Sequence, residues 1–297
     1  MERNELISIV IPAYNRAHCI GRTIESCLSQ SYKNIEIIVC DDKSTDNTAD
    51  IVERYLRQDC RVRFIENYLG KGAQYARECA INSAKGSYIA FMDSDDILLQ
   101  TSIEDRYKCF LENETDMVYG DILVESGDEQ ELVKYDNLNR ISIAERRQYL
   151  LEELSLCAFI TIMVKSELFS TGGVSLDKNL PAWQDDDLVL SIVFHSGKIF
   201  HCGKPVAMIC TSGDNISAHY HNKLSGLKML FAKYEDRVRQ LGKCRVFLWK
   251  LRILLDAFGV KMQEQEEKQN IFGVFLYKIL FRLLRMFLST QFRHIYG

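Results

Sequence analysis

The chain has 297 residues, 47% of them hydrophobic and 26% charged, which is typical of a soluble globular protein with one large or two modest cores. Its net charge of −4 is unevenly distributed, because residues 243–297 carry ten Lys or Arg against four Asp or Glu. Residues 1–242 are therefore net acidic, which argues against a nucleic acid as partner. The ten cysteines form no C-x-x-C pair, so they predict buried reduced thiols rather than a zinc site or a disulfide framework.

Strand and helix patterns alternate through the first 125 residues. Near-continuous apolar runs such as ELISIVIPAY predict strands buried on both faces, and apolar residues at helical spacing predict the helices between them. The predicted strands are 5–14, 35–40, 62–66, 88–92 and 117–124, and the predicted helices are 20–30, 48–57, 72–84 and 101–112. Strand–helix alternation with short links predicts an α/β fold with a Rossmann-like, mostly parallel central sheet flanked by helices.

The second half of the chain gives a mixed pattern. The predicted helices are 141–154, a helix start within 181–197, 222–242, 244–258 and 270–288, and the strand-like segments are 158–164, KIFHC and VAMICT. We expect one domain over residues 1–220 and a helical C-terminal appendage over residues 221–297, which contains the apolar helix 270–288.

Polar clusters follow three of the predicted strands: AYNR at 13–16, DDKSTD at 41–46 and DSDD at 93–96. Because ligands of open parallel sheets bind at the carboxyl ends of strands, these clusters predict a single site. Asp93 and Asp95 are hard oxygen ligands that suit Mg²⁺ or Mn²⁺ together with phosphate oxygens. A solvated acidic turn or a helix N-cap explains a D-x-D pattern equally well. Carboxylates this close repel one another unless a positive charge lies among them.

Four segments together resemble the inverting family 2 of nucleotide-sugar glycosyltransferases: SIVIPAYNRA (8–17), IEIIVCDDKSTDNT (35–48), GAQYARECAINSAKGSYIAFMDSDD (72–96) and WQDDDLVL (183–190). The resemblance covers roughly residues 5–215. It implies a GT-A fold, a divalent metal (Mn²⁺ or Mg²⁺) and a sugar-nucleotide donor, most often linked to UDP. It also implies a nucleotide-binding half over 1–100 and an acceptor half over 101–220.

The resemblance assigns site roles position by position. The nucleotide-binding positions are Pro12, Ala13, Tyr14, Asn15, Asp42, Arg77 and Asp93, and the metal position is Asp95. Asp42 is expected to accept a hydrogen bond from the uracil ring; its alternative role, a helix cap, suits Thr45 or Asp46 better. The family usually has Asn directly after the arginine, and this chain has Glu78 there, so one donor contact is expected to differ.

An inverting transfer needs a base that takes the proton of the acceptor hydroxyl. The motif QDDD at 184–187 matches the family's ED or QD signature, and Asp185 aligns with its base. The alternative is that three aspartates simply favour the N-terminus of a helix. His219 and His221 are weaker candidates for a pyrophosphate contact or a further metal ligand, and the alternative is a surface His-x-His without function. Trp183 and Tyr119 are expected either to stack on an acceptor sugar or to pack in the core.

The C-terminal segment IFGVFLYKILFRLLRMFL (271–288) is apolar except for Lys278, Arg282 and Arg285. These three charges lie on one narrow face of a helix, which favours a helix lying on a membrane surface over one that spans it. The alternative is a helix docked on protein. With the family resemblance, the segment predicts a glycan or lipid-linked acceptor in capsule, O-antigen or exopolysaccharide synthesis. It also predicts a cytoplasmic location, peripheral on the inner face of the cytoplasmic membrane.

Other function classes fit the sequence less well. A nucleotidyltransferase or a dinucleotide oxidoreductase needs a Gly-rich phosphate loop after the first strand, and IPAYNRAHCIG has none. A non-catalytic phosphoacceptor or nucleotide-binding module could use Asp41 and Asp42 with a metal, but it does not account for Asp93, Asp95 and Asp185 together. A donor-binding but inactive transferase is a further alternative, and donor binding without turnover would distinguish it.

Overall fold

The computed structural model describes residues 4–127, 129–152, 156–210 and 220–240, with isolated positions between 242 and 257. The predicted helix 270–288 and His219 lie outside the described residues. The chain divides into two compact units, the first made of 1–150, 155–178 and 185–213, and the second of 151–154, 179–184 and 214–297. Every strand of the sheet belongs to the first unit.

Nine strands form one sheet within the described residues. They are β1 (Ile7–Ala13), β2 (Ile35–Asp41), β3 (Val62–Glu66), β4 (Tyr88–Phe91), β5 (Ile97–Leu98), β6 (Met117–Ser126), β7 (Glu129–Val133), β8 (Met163–Lys165) and β9 (Ile199–Cys210). Their order is β3-β2-β1-β4-β8-β6-β9-β5, with β7 paired to β6.

The helices connect and cover these strands. They are α1 (Ile20–Leu28), α2 (Thr48–Gln58), α3 (Ala73–Ser83), α4 (Ser102–Glu112), α5 (Ile143–Glu152), α6 (Glu167–Ser170), α7 (Gln184–His195) and α8 (Tyr220–Gln240), with a 3-10 turn at Phe159–Thr161. Among the helices that the structure describes, none is both long enough and apolar enough to cross a membrane.

The N-terminal half of the sheet is the parallel part. Strands β3, β2, β1 and β4 pair in parallel, and every residue of β1 and β2 is buried. Side chains that face away from water on both sides explain why these strands are near-continuous apolar runs. The carboxyl ends of β1, β2 and β4 therefore meet at one edge, as the sequence predicted.

The C-terminal half of the sheet is mixed. Strand β8 pairs antiparallel with both β4 and β6, and β5 and β7 are also antiparallel to their neighbours. Strand β9 runs parallel to β6 with a register shift around Gly120, where a Cβ atom would lie 2.7 Å from the Lys204 carbonyl oxygen. The shift allows one long strand to replace the two short strands predicted over 198–211. Overall the parallel arrangement is confirmed for the first four strands, and the complete sheet is mixed.

One charged side chain lies fully inside the first unit. The Arg106 guanidinium donates to the carbonyl oxygens of Ser102 and Thr161 and to the Ser102 hydroxyl. Burial lowers the pKa of Arg106 to about 10, and the three hydrogen bonds offset part of the cost of burying its charge. The side chain thereby joins α4 to the 3-10 turn. The nine cysteines that the structure describes are free thiols, mostly buried, as predicted.

The second unit is described mainly through α8. Leu227, Leu230 and Val238 are buried along this helix. Trp183 Nε1 donates to the Lys223 carbonyl oxygen at 2.8 Å. Trp183 also has a φ of 63°, in the left-handed region that a bulky residue rarely adopts.

Candidate active site

Asn15 connects the loop after β1 to the loop after β2. Its N–H donates to the Ser44 hydroxyl at 2.9 Å, and its Oδ1 accepts from the Thr45 N–H at 2.8 Å. Asn15 has a φ of 52°, a left-handed conformation that Asn tolerates better than most residues. Pro12 and Ala13 end β1 directly before this turn, and Tyr14 is exposed beside it. These positions all lie at the edge where the sequence predicted a nucleoside pocket.

Asp42 joins three elements at the same edge. Its Oδ1 accepts from Asn67 Nδ2 and its Oδ2 from the Gly72 N–H, both at 2.7 Å, so it links the ends of β2 and β3 to the start of α3. It does not cap α2; the carboxylate that accepts from the Thr48 N–H in the first turn of that helix belongs to Asp46. The structure therefore assigns the capping role as the sequence did.

Arg77 is the positive partner of the first carboxylate of the D-x-D motif. Its Nη2 lies 2.7 Å from Asp93 Oδ1, and its Nη1 donates to Gln74 Oε1 at 3.0 Å. The guanidinium also stacks on the ring of Phe159, 4.2 Å from the centroid. The Arg77 side chain is 8% exposed and that of Asp93 is 35% exposed. Arg77 is thus held from three sides while Asp93 stays accessible.

The loop that carries Asp95 is held by the first helix. The Asp95 carboxylate lies 3.7 Å from Arg16 Nε, and the Asp95 backbone carbonyl oxygen accepts from Arg22 Nη2 at 3.1 Å. The Thr23 hydroxyl lies within 3.0 Å of the carbonyl oxygens of Ser94 and Asp96. Arg22 and Thr23 of α1 therefore fix the backbone of this loop. Two arginines, from α3 and from the β1 exit, reduce the repulsion between the carboxylates.

The third carboxylate of DSDD is buried rather than exposed to solvent. Asp96 Oδ1 accepts from the Cys210 N–H at 3.0 Å. Burial, together with the charge of Asp93, raises the pKa of Asp96 to about 8. Asp96 therefore binds its proton more tightly than an ordinary aspartate does.

Asp185 lies in the first turn of α7, in the electrostatic environment of Arg77 and Asp93. Burial raises the pKa of Asp185, the positive charge of Arg77 opposes this rise, and the negative charge of Asp93 adds to it. Asp186 and Asp187 are buried. All three aspartates lie in the first turn of α7, where the helix dipole favours negative charge. A half-buried carboxylate with a raised pKa is suited to accept a proton.

Sequence reasoning missed several neighbours of these residues. Gln74 and Phe159 both contact Arg77, and Tyr135 is close enough to Asp185 for that carboxylate to raise its pKa, although burial is the larger cause. Phe159 was expected in a strand over 158–164 but lies in a 3-10 turn. Arg16 and Gln74 lie within quoted motifs, but the motifs assigned neither of them a role.

The structure also shows the surroundings of Glu78 and Tyr119. Glu78, which replaces the usual Asn, pairs with Lys178 at 2.7 Å, and the Lys178 ammonium also lies 5.3 Å from the centroid of the Tyr75 ring. Tyr119 is fully buried and donates to the Asp136 carbonyl oxygen, so it packs in the core and does not stack on a sugar. His221 lies exposed in α8.

Comparisons with known proteins agree with this geometry. The profile of Glycosyl transferase family 2 matches residues 8–173, more than half of the chain. The glucosyltransferase WfaP of Escherichia coli, named for transfer from UDP-Glc to alpha-D-GlcNAc-diphosphoundecaprenol, is 53% identical over 110 residues, which are 37% of this chain and 43% of that relative. The chain thus matches less than half of that relative's length.

Two solved structures share the fold. TarS of S. aureus, in complex with UDP-GlcNAc, has a TM-score of 0.62 and 16% identity, covering 93% of this chain and 91% of that one. The mannosyltransferase PcManGT of Pyrobaculum calidifontis, in complex with GDP-Man and Mn²⁺, has a TM-score of 0.63 and 15% identity, covering 97% and 84%. The expected GT-A fold is confirmed by this likeness, and the chain belongs to glycosyl transferase family 2.

Proposed function

We propose that this chain is an inverting glycosyltransferase that moves a sugar from a nucleotide-sugar, a UDP-sugar, to a hydroxyl of a glycan or lipid-linked acceptor. The observation that carries the proposal is the convergence of Asp42, the Arg77–Asp93 pair, Asp95 and Asp185 at the carboxyl ends of the parallel strands. Membership of the family indicates glycosyl transfer as the reaction. The residues that lie together at this edge of the sheet are the ones proposed to perform it.

The nucleoside is proposed to bind against the exits of β1 and β2. Tyr14 presents a ring that is 44% exposed, and the turn beside it is fixed by Asn15. Asp42 uses one hydrogen bond per oxygen within the protein, and each carboxylate oxygen can accept a second. Asp42 can therefore also accept from a base N–H. The relative named as using UDP-Glc supports uridine as the nucleoside.

The residues at the D-x-D motif fit a divalent metal. Among the described residues, no three His, Cys, Asp or Glu side chains form a ready-made metal cage. Asp93 and Asp95 are hard oxygen donors of partial exposure, which matches an ion held by one or two carboxylates, waters and phosphate oxygens. Mn²⁺ or Mg²⁺ held by Asp95 would neutralise charge on the leaving diphosphate. The Mn²⁺ present in the mannosyltransferase of the same fold supports this choice.

Asp185 is proposed as the base. It would take the proton of the acceptor hydroxyl as that oxygen attacks the anomeric carbon from the face opposite the diphosphate. Its raised pKa increases its affinity for this proton, while Arg77 keeps the pKa from rising further. Arg77 would also orient Asp93 toward the ribose through their 2.7 Å ion pair.

The acceptor is proposed to belong to the synthesis of a bacterial cell-surface polysaccharide. The relative named as acting on a diphosphoundecaprenol-linked sugar supports a lipid-linked acceptor. Peripheral contact with the inner face of the cytoplasmic membrane rests on the basic stripe of segment 271–288, which lies outside the described residues.

The test is a turnover assay with a matched variant. The wild type is incubated with Mn²⁺ and UDP-Glc, UDP-GlcNAc or GDP-Man, with and without extracted lipid-linked glycans, and release of the nucleoside diphosphate is measured. We expect release from one donor, and we expect Asp185→Asn to lose at least a hundredfold in turnover while retaining nucleotide binding. Asp50→Asn, an exposed carboxylate on α2, is the control. Full turnover in Asp185→Asn would exclude Asp185 as the base.

A further inference from the structure

Gln74 lies inside the candidate site without having been assigned a role by its motif. It is the second residue of α3, between Gly72, whose N–H binds Asp42, and Arg77, which is nearly one helical turn further on. Its side chain is buried, with the residue only 2% exposed. Along the chain, Gln74 therefore lies between Gly72, which binds the carboxylate proposed to bind the base, and Arg77, whose ion pair is proposed to lie near the ribose.

The orientation of the Gln74 amide is fixed by its neighbour. Gln74 Oε1 accepts from Arg77 Nη1 at 3.0 Å. Because a guanidinium can only donate, the amide oxygen must face Arg77 and the amide nitrogen must face away from it. Gln74 Nε2 is buried, and among the described residues it has no hydrogen-bond partner.

A buried N–H group without an acceptor is costly, and native proteins rarely retain one without a reason. Holding Arg77 does not explain it, because that task uses only Oε1, and a Glu would perform it with a stronger, charge-assisted bond. The amide nitrogen is the part of Gln74 that a carboxylate could not supply. Its unused donors, at a site where a ligand is expected, indicate an acceptor atom that arrives with the ligand.

We propose that Gln74 is a donor-binding residue whose Nε2–H donates a hydrogen bond to an uncharged oxygen of the bound nucleoside. The inference rests on the proposed function, since it needs a nucleotide at this edge of the sheet. The nucleoside is the part of the donor that fits, because Gln74 follows Gly72, which binds the base-side carboxylate Asp42, by two residues and itself contacts Arg77 of the ribose-side pair. In this role Gln74 contributes to donor selection.

The experiment measures nucleotide affinity in two Gln74 variants of the full chain. Calorimetric titrations with UDP and with UMP, in the presence of Mn²⁺, compare the wild type with Gln74→Met and Gln74→Glu. Met has similar length without donors, and Glu keeps the acceptor toward Arg77 while removing the N–H. Gln58→Met, an exposed Gln at the end of α2, is the matched control.

We expect Gln74→Met to weaken UDP and UMP binding by the same factor, about tenfold, as for the loss of one hydrogen bond between uncharged groups. Gln74→Glu should weaken both nucleotides at least as much. The thermal midpoint of nucleotide-free Gln74→Met should fall below that of the wild type, because the variant also removes the acceptor of Arg77 Nη1, whereas Gln74→Glu keeps that acceptor.

Four results would overturn the inference. Wild-type affinity in Gln74→Glu would show that Gln74 only positions Arg77. A loss in Gln74→Met confined to UDP would place the contact on the diphosphate instead of the nucleoside. If the wild type binds none of UDP, GDP and dTDP, the proposed function fails together with this inference. Nucleotide binding in the wild type with unchanged Gln74 variants would reject the Gln74 contact alone.

Discussion

The stacking of Arg77 on Phe159 predicts a measurable coupling between these two side chains. The guanidinium lies 4.2 Å from the ring centroid, and the Arg77 side chain is only 8% exposed. A desolvated cation–π contact is worth about 2 kcal/mol. The Phe159 ring also packs on Phe91 with centroids 5.2 Å apart, which adds about 1 kcal/mol beyond buried area. Phe159→Leu should therefore lower the free energy of unfolding by about 3 kcal/mol.

A double-mutant cycle isolates the contact between Arg77 and Phe159. The free energies of unfolding of Phe159→Leu, Arg77→Met and the double variant are measured by urea denaturation. We expect a coupling energy of about 1–2 kcal/mol, because each single variant removes the same contact. The cycle cancels the cost of leaving Asp93 without its arginine. UDP affinity should also fall in Phe159→Leu, since Arg77 loses one of its three supports.

Phe169→Leu provides the matched control for this cycle. Phe169 packs on the same Phe91 ring, with centroids 6.4 Å apart, and its described ring contact is with Phe91 rather than with Arg77. Its coupling to Arg77→Met should be close to zero. A coupling for Phe159 below about 0.5 kcal/mol, the limit expected for independent sites, would refute the reasoning.

Three further predictions concern titration and backbone strain. Burial raises the pKa of Asp185, and a general base must be ionised to act. The value of kcat/KM should therefore rise with pH through a pKa above that of an ordinary aspartate. A rise in kcat/KM with a pKa at or below the ordinary aspartate value would contradict this. Asp96, with a pKa of about 8, binds a proton in the folded state that the unfolded chain releases near pH 4, so this group makes stability fall as pH rises from about 4 to about 8. Asp96→Asn, which can still accept from the Cys210 N–H, should show a smaller fall in urea denaturation between pH 5 and pH 8 in EDTA than the wild type; equal falls would reject the assignment. Asn15→Ala should cost about 2 kcal/mol in urea denaturation, through left-handed strain and the lost bond to Thr45, and Asn15→Gly should recover about half.

The parallel half of the fold was predictable because its signals are local. The strand predicted at 62–66 coincides with β3, and the helix predicted at 48–57 ends one residue short of the end of α2. Each of these elements is short, and the spacing of its apolar residues matches the pattern of its buried residues. Ligands of open parallel sheets bind at the carboxyl ends of strands, so the polar clusters could be placed together without knowledge of side-chain contacts.

The mixed half of the sheet was less predictable because its pairing is set by distant segments. Strand β5 has two residues and exists through antiparallel pairing with β9, more than a hundred positions later. The composition around Phe159 predicts a strand, but Phe159 lies in a 3-10 turn, where its ring contacts the distant residues Arg77 and Phe91. The same reason hides Gln74, because an unpartnered amide appears only when every possible acceptor has been located.

The measurement that tests the central claim most directly is a calorimetric titration of the wild type and of Asp95→Ala with UDP, with and without Mn²⁺. We predict that UDP binds the wild type only when Mn²⁺ is present and that binding is lost in Asp95→Ala, while Asp50→Ala, the exposed control on α2, binds normally. If GDP or dTDP binds instead of UDP, the proposed nucleoside of the donor is wrong, but the proposed D-x-D site is retained. Metal-independent binding, or unchanged binding in Asp95→Ala, would contradict a D-x-D site that holds the diphosphate through a metal.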